Sequence, residues 1–187
     1  ATKACADAIV RSLVRSGGLD AVITRGGNTY GPGQFPEKLL PLAALRWEAG
    51  RSMAVYGDGF QVREWLHVDD HAAGIVAAAR SGLDGVLHLG SGDARTNREV
   101  LLLWGSALGQ DGPSKGWLEP VPDRPGHDRR YQMAFEETAA RLGWRPRRRL
   151  DEGLFETARW TEAHPDFWAE ALDRPDVRAF FERQYGG

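Results

Sequence analysis

Three stretches of this chain gather the residue types that grip an anionic, hydroxyl-rich small molecule: residues 25–38 (RGGNTYGPGQFPEK), 57–63 (GDGFQVR) and 123–131 (DRPGHDRRY). Each sets side-chain donors beside glycine or proline, so the donors ride on loops of fixed shape. Arg63 is the sharpest of them. It sits in FQVREWL, where Val62 and Leu66 call for burial, and a guanidinium held in such a run can grip a phosphate through two parallel hydrogen bonds. A salt bridge to Glu64, Asp69 or Asp70 is the competing reading of the same residues. His127, between Gly126 and Asp128, can donate to an anion or a sugar hydroxyl, or can simply stand in solvent. Asn28 and Tyr30 lie in a loop that follows a strand, where open α/β sheets place their ligands.

Other chemistries find less support. His67 and His71 have the four-residue spacing of zinc ligands, but HVDDH lacks the glutamate of the metalloprotease motif and no third ligand is evident. No Gly-x-Ser-x-Gly occurs, and Gly90-Ser91-Gly92 reads as a ligand loop at a strand end rather than as a nucleophile turn. Residues 121–150 hold eight arginines against four acids. Without interleaved aromatics or a nucleic-acid module, that run is a solvated basic edge, part of which can face an anionic ligand.

Elements must position these residues. The chain has 187 residues, 24 Lys+Arg against 26 Asp+Glu, and 42% hydrophobic residues, an ordinary globular composition with a net charge of -2. That balance gives no field for nucleic acid or anionic membrane, and no apolar run approaches the roughly 18 residues of a membrane span. The single cysteine, Cys5, excludes an internal disulfide and a Cys-rich zinc site, which suits a reducing cytoplasm. Residues 1–16 form a helix with apolar stripes that include Ile9, Val10, Leu13 and Val14, ended by Gly17 and Gly18. Residues 20–24 then read as a short buried strand, and residues 25–38 as a long ordered loop without regular structure. Helices are predicted over residues 36–50, 68–80, 97–108, 136–142 and 150–163, the last with Leu154, Ala158 and Thr161 sharing a face with Phe155. Strands are predicted over residues 53–56, 60–66 and 85–89, and residues 165–185 as two short helices or a frayed tail. A helix feeding a strand, with no strand or Gly-rich turn before it, reads as the C-terminal part of a larger α/β protein.

Taken in order, ATKACAD, NTYGPGQFPEKLLPL, VYGDGFQVREWLHVDDH and DRPGHDRRY resemble the extended short-chain dehydrogenase/reductase family, and within it the dTDP-glucose 4,6-dehydratases. The likeness runs from Ala1 to about Trp160. It implies an α/β fold: the C-terminal portion of a Rossmann-type domain with a small nucleotide-sugar binding lobe, the N-terminal NAD-binding half being absent from the sequence. Residues 1–25 would end the Rossmann domain. Residues 26–187 would be mainly the substrate lobe, with some segments returning to the Rossmann sheet.

The resemblance also assigns roles. Lys3 matches the lysine of the family's Tyr/Lys pair, where its ammonium would bind the nicotinamide ribose and lower the pKa of a tyrosine lying upstream. Thr29 falls where relatives carry an asparagine near the nicotinamide. Asn28, Lys38, Leu39, Ala54, Val55, Tyr56, Arg63, His88, Asp123, Arg124, Pro125, Gly126 and His127 would bind the nucleotide sugar. Arg63 and Arg124 would take the diphosphate and the Tyr56 ring would lie beside the base. His88 and the TRGGNT stretch depart from the family's usual residues. The implied reaction is internal redox on dTDP-glucose with NAD, with loss of water across C5 and C6, serving deoxysugar biosynthesis. A homodimer joined through the first helix is implied as well, and no activity is expected of the fragment alone. The alternatives are a related NAD-dependent epimerase or decarboxylase, and a non-catalytic nucleotide-sugar binding module.

Overall fold

The computed structural model describes residues 1–109, 117–123 and 125–185. The helices are α1 (Thr2–Arg15), α2 (Leu39–Glu48), α3 (Val68–Arg80), α4 (Asn97–Ala107), α5 (Glu136–Leu142), α6 (Leu150–Ala163), α7 (Asp166–Asp173) and α8 (Pro175–Tyr185). The strands are β1 (Ile23–Gly26), β2 (Asn28–Tyr30), β3 (Met53–Tyr56), β4 (Val62–His67), β5 (Val86–Leu89), β6 (Ala94–Thr96) and β7 (Leu118–Val121). β1 pairs in parallel with β5, β3 in parallel with β7, and β4 lies between β2 and β6. The chain divides into two compact units. The first comprises residues 1–29, 64–94 and 132–148, and the second comprises residues 30–63, 95–131 and 149–187.

In the first unit the hydrophobic core is built from Leu66, Leu89, Phe135, Ala139 and Trp144, with Met133, Ala77 and Leu142 against it. α3 begins at the predicted residue because Asp69 and Asp70 occupy its first turn, where carboxylates favour the helix dipole. Asp70 is buried and its Oδ2 accepts the backbone N–H groups of Arg147 and Arg148, each at 2.9 Å. The arginine run is therefore anchored at its backbone, and the Arg148 guanidinium pairs with Asp69 at 2.9 Å while Arg145 and Arg147 stay exposed.

One expectation for this unit needs correction. The strand predicted over residues 20–24 is β1, three residues later and only half-buried, because its ladder starts where β5 can pair, at Ile23 opposite Val86. The apolar stripes of α1 are not covered within the described residues of this chain: the helix buries none of its residues, and Ile9 and Leu13 are 62% and 46% exposed. An ion pair between Asp7 and Arg25 ties α1 to β1.

In the second unit, tryptophans anchor the helices through their indole nitrogens. Trp104 donates to the Leu40 carbonyl at 2.8 Å, and Trp47 to the Trp117 carbonyl at 3.2 Å while its ring meets that of Trp117 at 4.8 Å. A capping box between Thr96 and Glu99 starts α4. On α6, Leu154 and Ala158 are buried as their spacing predicts, but Phe155 is turned outward and 49% exposed. The long loop is partly regular, since residues 25 and 26 finish β1 and residues 28–30 form β2. Its remainder turns through Pro36, so α2 begins at Leu39 rather than at the proline, and Trp168 donates to the Gln34 carbonyl at 3.1 Å. β3 and β4, joined by Gly57-Asp58-Gly59, belong to different sheets.

Candidate active site cleft

The second unit contains a cleft of about 600 Å³, a size that suits a small organic ligand. One wall is the C-terminal part of β3, Ala54 to Tyr56, with Val121 and Pro122 at the end of β7. The pairing that makes this wall is continuous: Met53 donates to the Trp117 carbonyl at 2.7 Å and Gly57 to the Val121 carbonyl at 2.8 Å. The opposite side is the start of α2, with Glu37, Lys38, Leu39, Leu42 and Arg46, and Asn97 enters from the first position of α4. Met53, Val55 and Leu42 make an apolar floor. The exposed Lys38 ammonium and the Asn97 amide are polar groups suited to orienting a guest.

Tyr56 is 39% exposed, with its ring edge-on to the His127 imidazole at 5.9 Å. The His127 side chain is only 6% exposed, and its Nδ1 lies 2.7 Å from Asp123 Oδ1. The histidine is thus held in place, and its solvated alternative is set aside. Outside it, Asp58 and Arg129 pair at 2.8 Å, and the Arg129 hydrogen bond, with the Phe60 N–H, holds the Asp58 carboxyl below the usual carboxylate range.

Arg63 is 4% exposed. Its Nη1 donates to the Val62 carbonyl at 2.7 Å, its Nη2 to the Asp128 carbonyl at 2.8 Å, and its guanidinium lies 4.3 Å from the centre of the Tyr131 ring. None of the three proposed salt bridges forms. Two backbone carbonyls and an aromatic face hold the cation without neutralising it, which leaves its charge for an anion. Arg124 lies outside the described residues, while Asp123, Pro125 and Gly126 carry the turn that leads to His127.

The remaining candidates belong to the first unit. Lys3 stands exposed in the first turn of α1, with no carboxylate partner among the described residues. Asn28 and Thr29 are on β2, and His88 is on β5 opposite Arg25 with its N–H on Thr138 Oγ1 at 3.0 Å. His88 is not part of the cleft wall. The Thr29 hydroxyl is engaged by His71 Nδ1 at 2.7 Å, and a Cβ on Gly26 would meet the His71 ring at 2.5 Å, so residue 26 must be glycine for the ring to fit.

Burial pushes the His71 imidazole below its ordinary value of 6.5. The folded protein therefore keeps His71 neutral where the unfolded chain would take up a proton. Its contribution to stability is complete above that ordinary value and drains away as pH falls through it toward the folded value. The melting temperature of the wild type should fall more steeply than that of His71→Gln between about pH 7.5 and pH 5. Parallel pH profiles would show that His71 does not titrate in this way.

Two features escaped the sequence. Asn97 carries a signal that could have revealed it, since the Thr96-x-x-Glu99 box marks the helix start whose first side chain opens on the cleft. Gln61 carries none. It is 2% exposed and donates from Nε2 to the Tyr56 carbonyl at 3.0 Å and to Asp123 Oδ2 at 2.9 Å. In the Gly90-Ser91-Gly92 turn, expected to be a ligand loop, the N–H groups of Ser91 and Gly92 donate to the buried Glu64 carboxylate at 2.8 and 2.6 Å, so these two donors are already used.

Residues 1–90 match the profile of the NAD dependent epimerase/dehydratase family. A dTDP-glucose 4,6-dehydratase of Streptomyces antibioticus is 43% identical over 178 residues, which cover 94% of this chain and 52% of that protein. The crystal structure of a dTDP-glucose 4,6-dehydratase from Streptomyces venezuelae, with NAD and TYD bound, superposes with a TM-score of 0.82 at 40% identity, covering 90% of this chain and 52% of that one. A UDP-glucose 4-epimerase of Thermus thermophilus, in complex with NAD, gives 0.75 at 30% identity, over 83% of this chain and 51% of its own. The chain spans about half the length of the curated relatives it matches. The family profile over α1 to β5, together with these likenesses across almost the whole chain, makes it similar to members of the NAD dependent epimerase/dehydratase family.

Proposed function

We propose that the full-length protein is a dTDP-glucose 4,6-dehydratase that uses NAD, and that the cleft of the second unit holds the nucleotide part of its substrate. The observation that carries this reading is that Lys38, Leu39, Ala54, Val55 and Tyr56, from two sequence segments, line one cleft in a chain 43% identical to a protein of that activity. The apolar floor and the Tyr56 ring suit the thymine base, and Lys38 and Asn97 supply hydrogen bonds to it or its sugar. Arg63, Arg124 and His127 take the diphosphate.

Lys3, Asn28, Thr29 and His88 are assigned by likeness to the cofactor and the hexose. An exposed ammonium on the first turn of α1 fits a donor to the nicotinamide ribose, whereas the Thr29 hydroxyl is shared with His71. When bound, NAD supplies a reversible hydride acceptor. Lys3 would hold the ribose and lower the pKa of a neighbouring phenol so that it can move a proton near neutral pH. The residues of the cleft would fix the substrate in orientation while that chemistry proceeds.

A 4-epimerase would use the same cleft, but the higher identities all favour dehydration, at 43% and 40% against 30%. Among the described residues no helix is long and apolar enough to cross a membrane. The lone Cys5 suits a reducing compartment, and we assign the enzyme to the cytoplasm on that ground. The exposed Ile9 and Leu13 of α1 support a homodimer through this helix.

Titration calorimetry of the full-length protein with dTDP tests the cleft. Tyr56→Ala and Asn97→Ala should each weaken binding by roughly fivefold to tenfold, the loss of one ring contact or one hydrogen bond. Unchanged affinity in both variants would remove the nucleotide from this cleft.

A further inference from the structure

We propose that Gln61 is a positioning residue of the nucleotide site, holding Tyr56 directly and His127 through Asp123. The inference rests on the cleft being the nucleotide site. Both partners of Gln61 Nε2, the Tyr56 carbonyl and Asp123 Oδ2, are acceptors, so the amide can sit only with its nitrogen toward them. One side-chain nitrogen thereby joins the end of the β3 wall to the turn that follows β7. The other Asp123 oxygen lies 2.7 Å from His127 Nδ1. A carboxylate only accepts, so Nδ1 carries the proton and Nε2 remains the nitrogen with which His127 can meet a ligand. Tyr56, tied at its carbonyl, presents its ring edge-on to that same imidazole.

The opposite end of the amide indicates that stability is not what this residue supplies. Gln61 Oε1 is buried and has no hydrogen-bond partner among the described residues. A buried acceptor left unpaired weakens a fold, and an apolar side chain of similar length would remove that defect. The amide is thus better matched to the task of its nitrogen than to packing.

The test uses the full-length protein and dTDP as probe. Gln61→Met should keep the melting temperature within a few degrees and raise the dissociation constant about tenfold, as expected for one lost charge-assisted hydrogen bond. Asp123→Asn should weaken dTDP to a similar degree. The double variant should lose less than the sum of the two single losses, because Gln61 reaches His127 through that carboxylate. Should Gln61→Met fail to fold, Gln61→Glu, which keeps the shape and sets a second carboxylate against Asp123, should show the same loss. A Gln61→Met protein that binds dTDP as tightly as the wild type overturns the inference alone, as do strictly additive losses in the double variant. A wild type that binds no dTDP overturns the reading of the cleft, and this inference with it.

Discussion

Replacing Glu64 by glutamine should destabilise the protein by roughly 2–4 kcal/mol, although the two side chains have the same shape. Glu64 is fully buried, and its Oε1 accepts from the Ser91 and Gly92 N–H groups at 2.8 and 2.6 Å while Oε2 accepts from Met133 N–H at 2.7 Å. Three backbone donors converge on an acceptor-only group. An amide there turns one oxygen into a donor, so at least one N–H faces another N–H in a site closed to water. The neighbourhood cannot relax around it. A Cβ on Gly90 would already lie 2.8 Å from Glu64 Oε1 and 2.9 Å from Met133 Cβ. Urea denaturation followed by tryptophan fluorescence should show a lowered midpoint with an unchanged slope. A midpoint equal to that of the wild type would mean that the carboxylate does not hold these loops.

Arg63→Ala should show the largest loss of nucleotide affinity, about 2 kcal/mol or more, a thirtyfold weakening of dTDP. The guanidinium is already desolvated and fixed by the Val62 and Asp128 carbonyls and the Tyr131 ring, so a diphosphate meets a cation that needs no further ordering. Lysine should restore little of the binding, since an ammonium cannot hold two carbonyls and the ring while forking to a phosphate. Calorimetry with dTDP, at a temperature where circular dichroism shows both proteins folded, separates this loss from any loss of stability. Equal affinities would remove Arg63 from the site.

Local signals carried much of the fold. The helices α3, α5 and α6 begin and end at the predicted residues, because apolar spacing, first-turn acids and the glycine after α5 are all written within a few positions. The strands β2, β6 and β7 were not legible. They are three or four residues long and exist only because distant segments pair with them, and β7 includes Glu119 and Pro120, which resist the assignment locally. The same division runs through the site. Arg63 and His127 stood out by residue type and Tyr56 by the resemblance, whereas Gln61 and Asn97 became visible only through what folding brings near them. Glu64 was read as a possible partner of Arg63, but with three backbone donors around it the carboxylate turns to those instead.

Mass spectrometry of the reaction with dTDP-glucose tests most directly the proposal that the full-length protein removes water from this sugar nucleotide. Incubation of the protein with dTDP-glucose and NAD should give a nucleotide sugar lighter by one water, with no reduced cofactor accumulating. A product of unchanged mass with its C4 configuration inverted would make the protein an epimerase, and recovery of dTDP-glucose alone, from a protein that binds dTDP, would leave it a binding module.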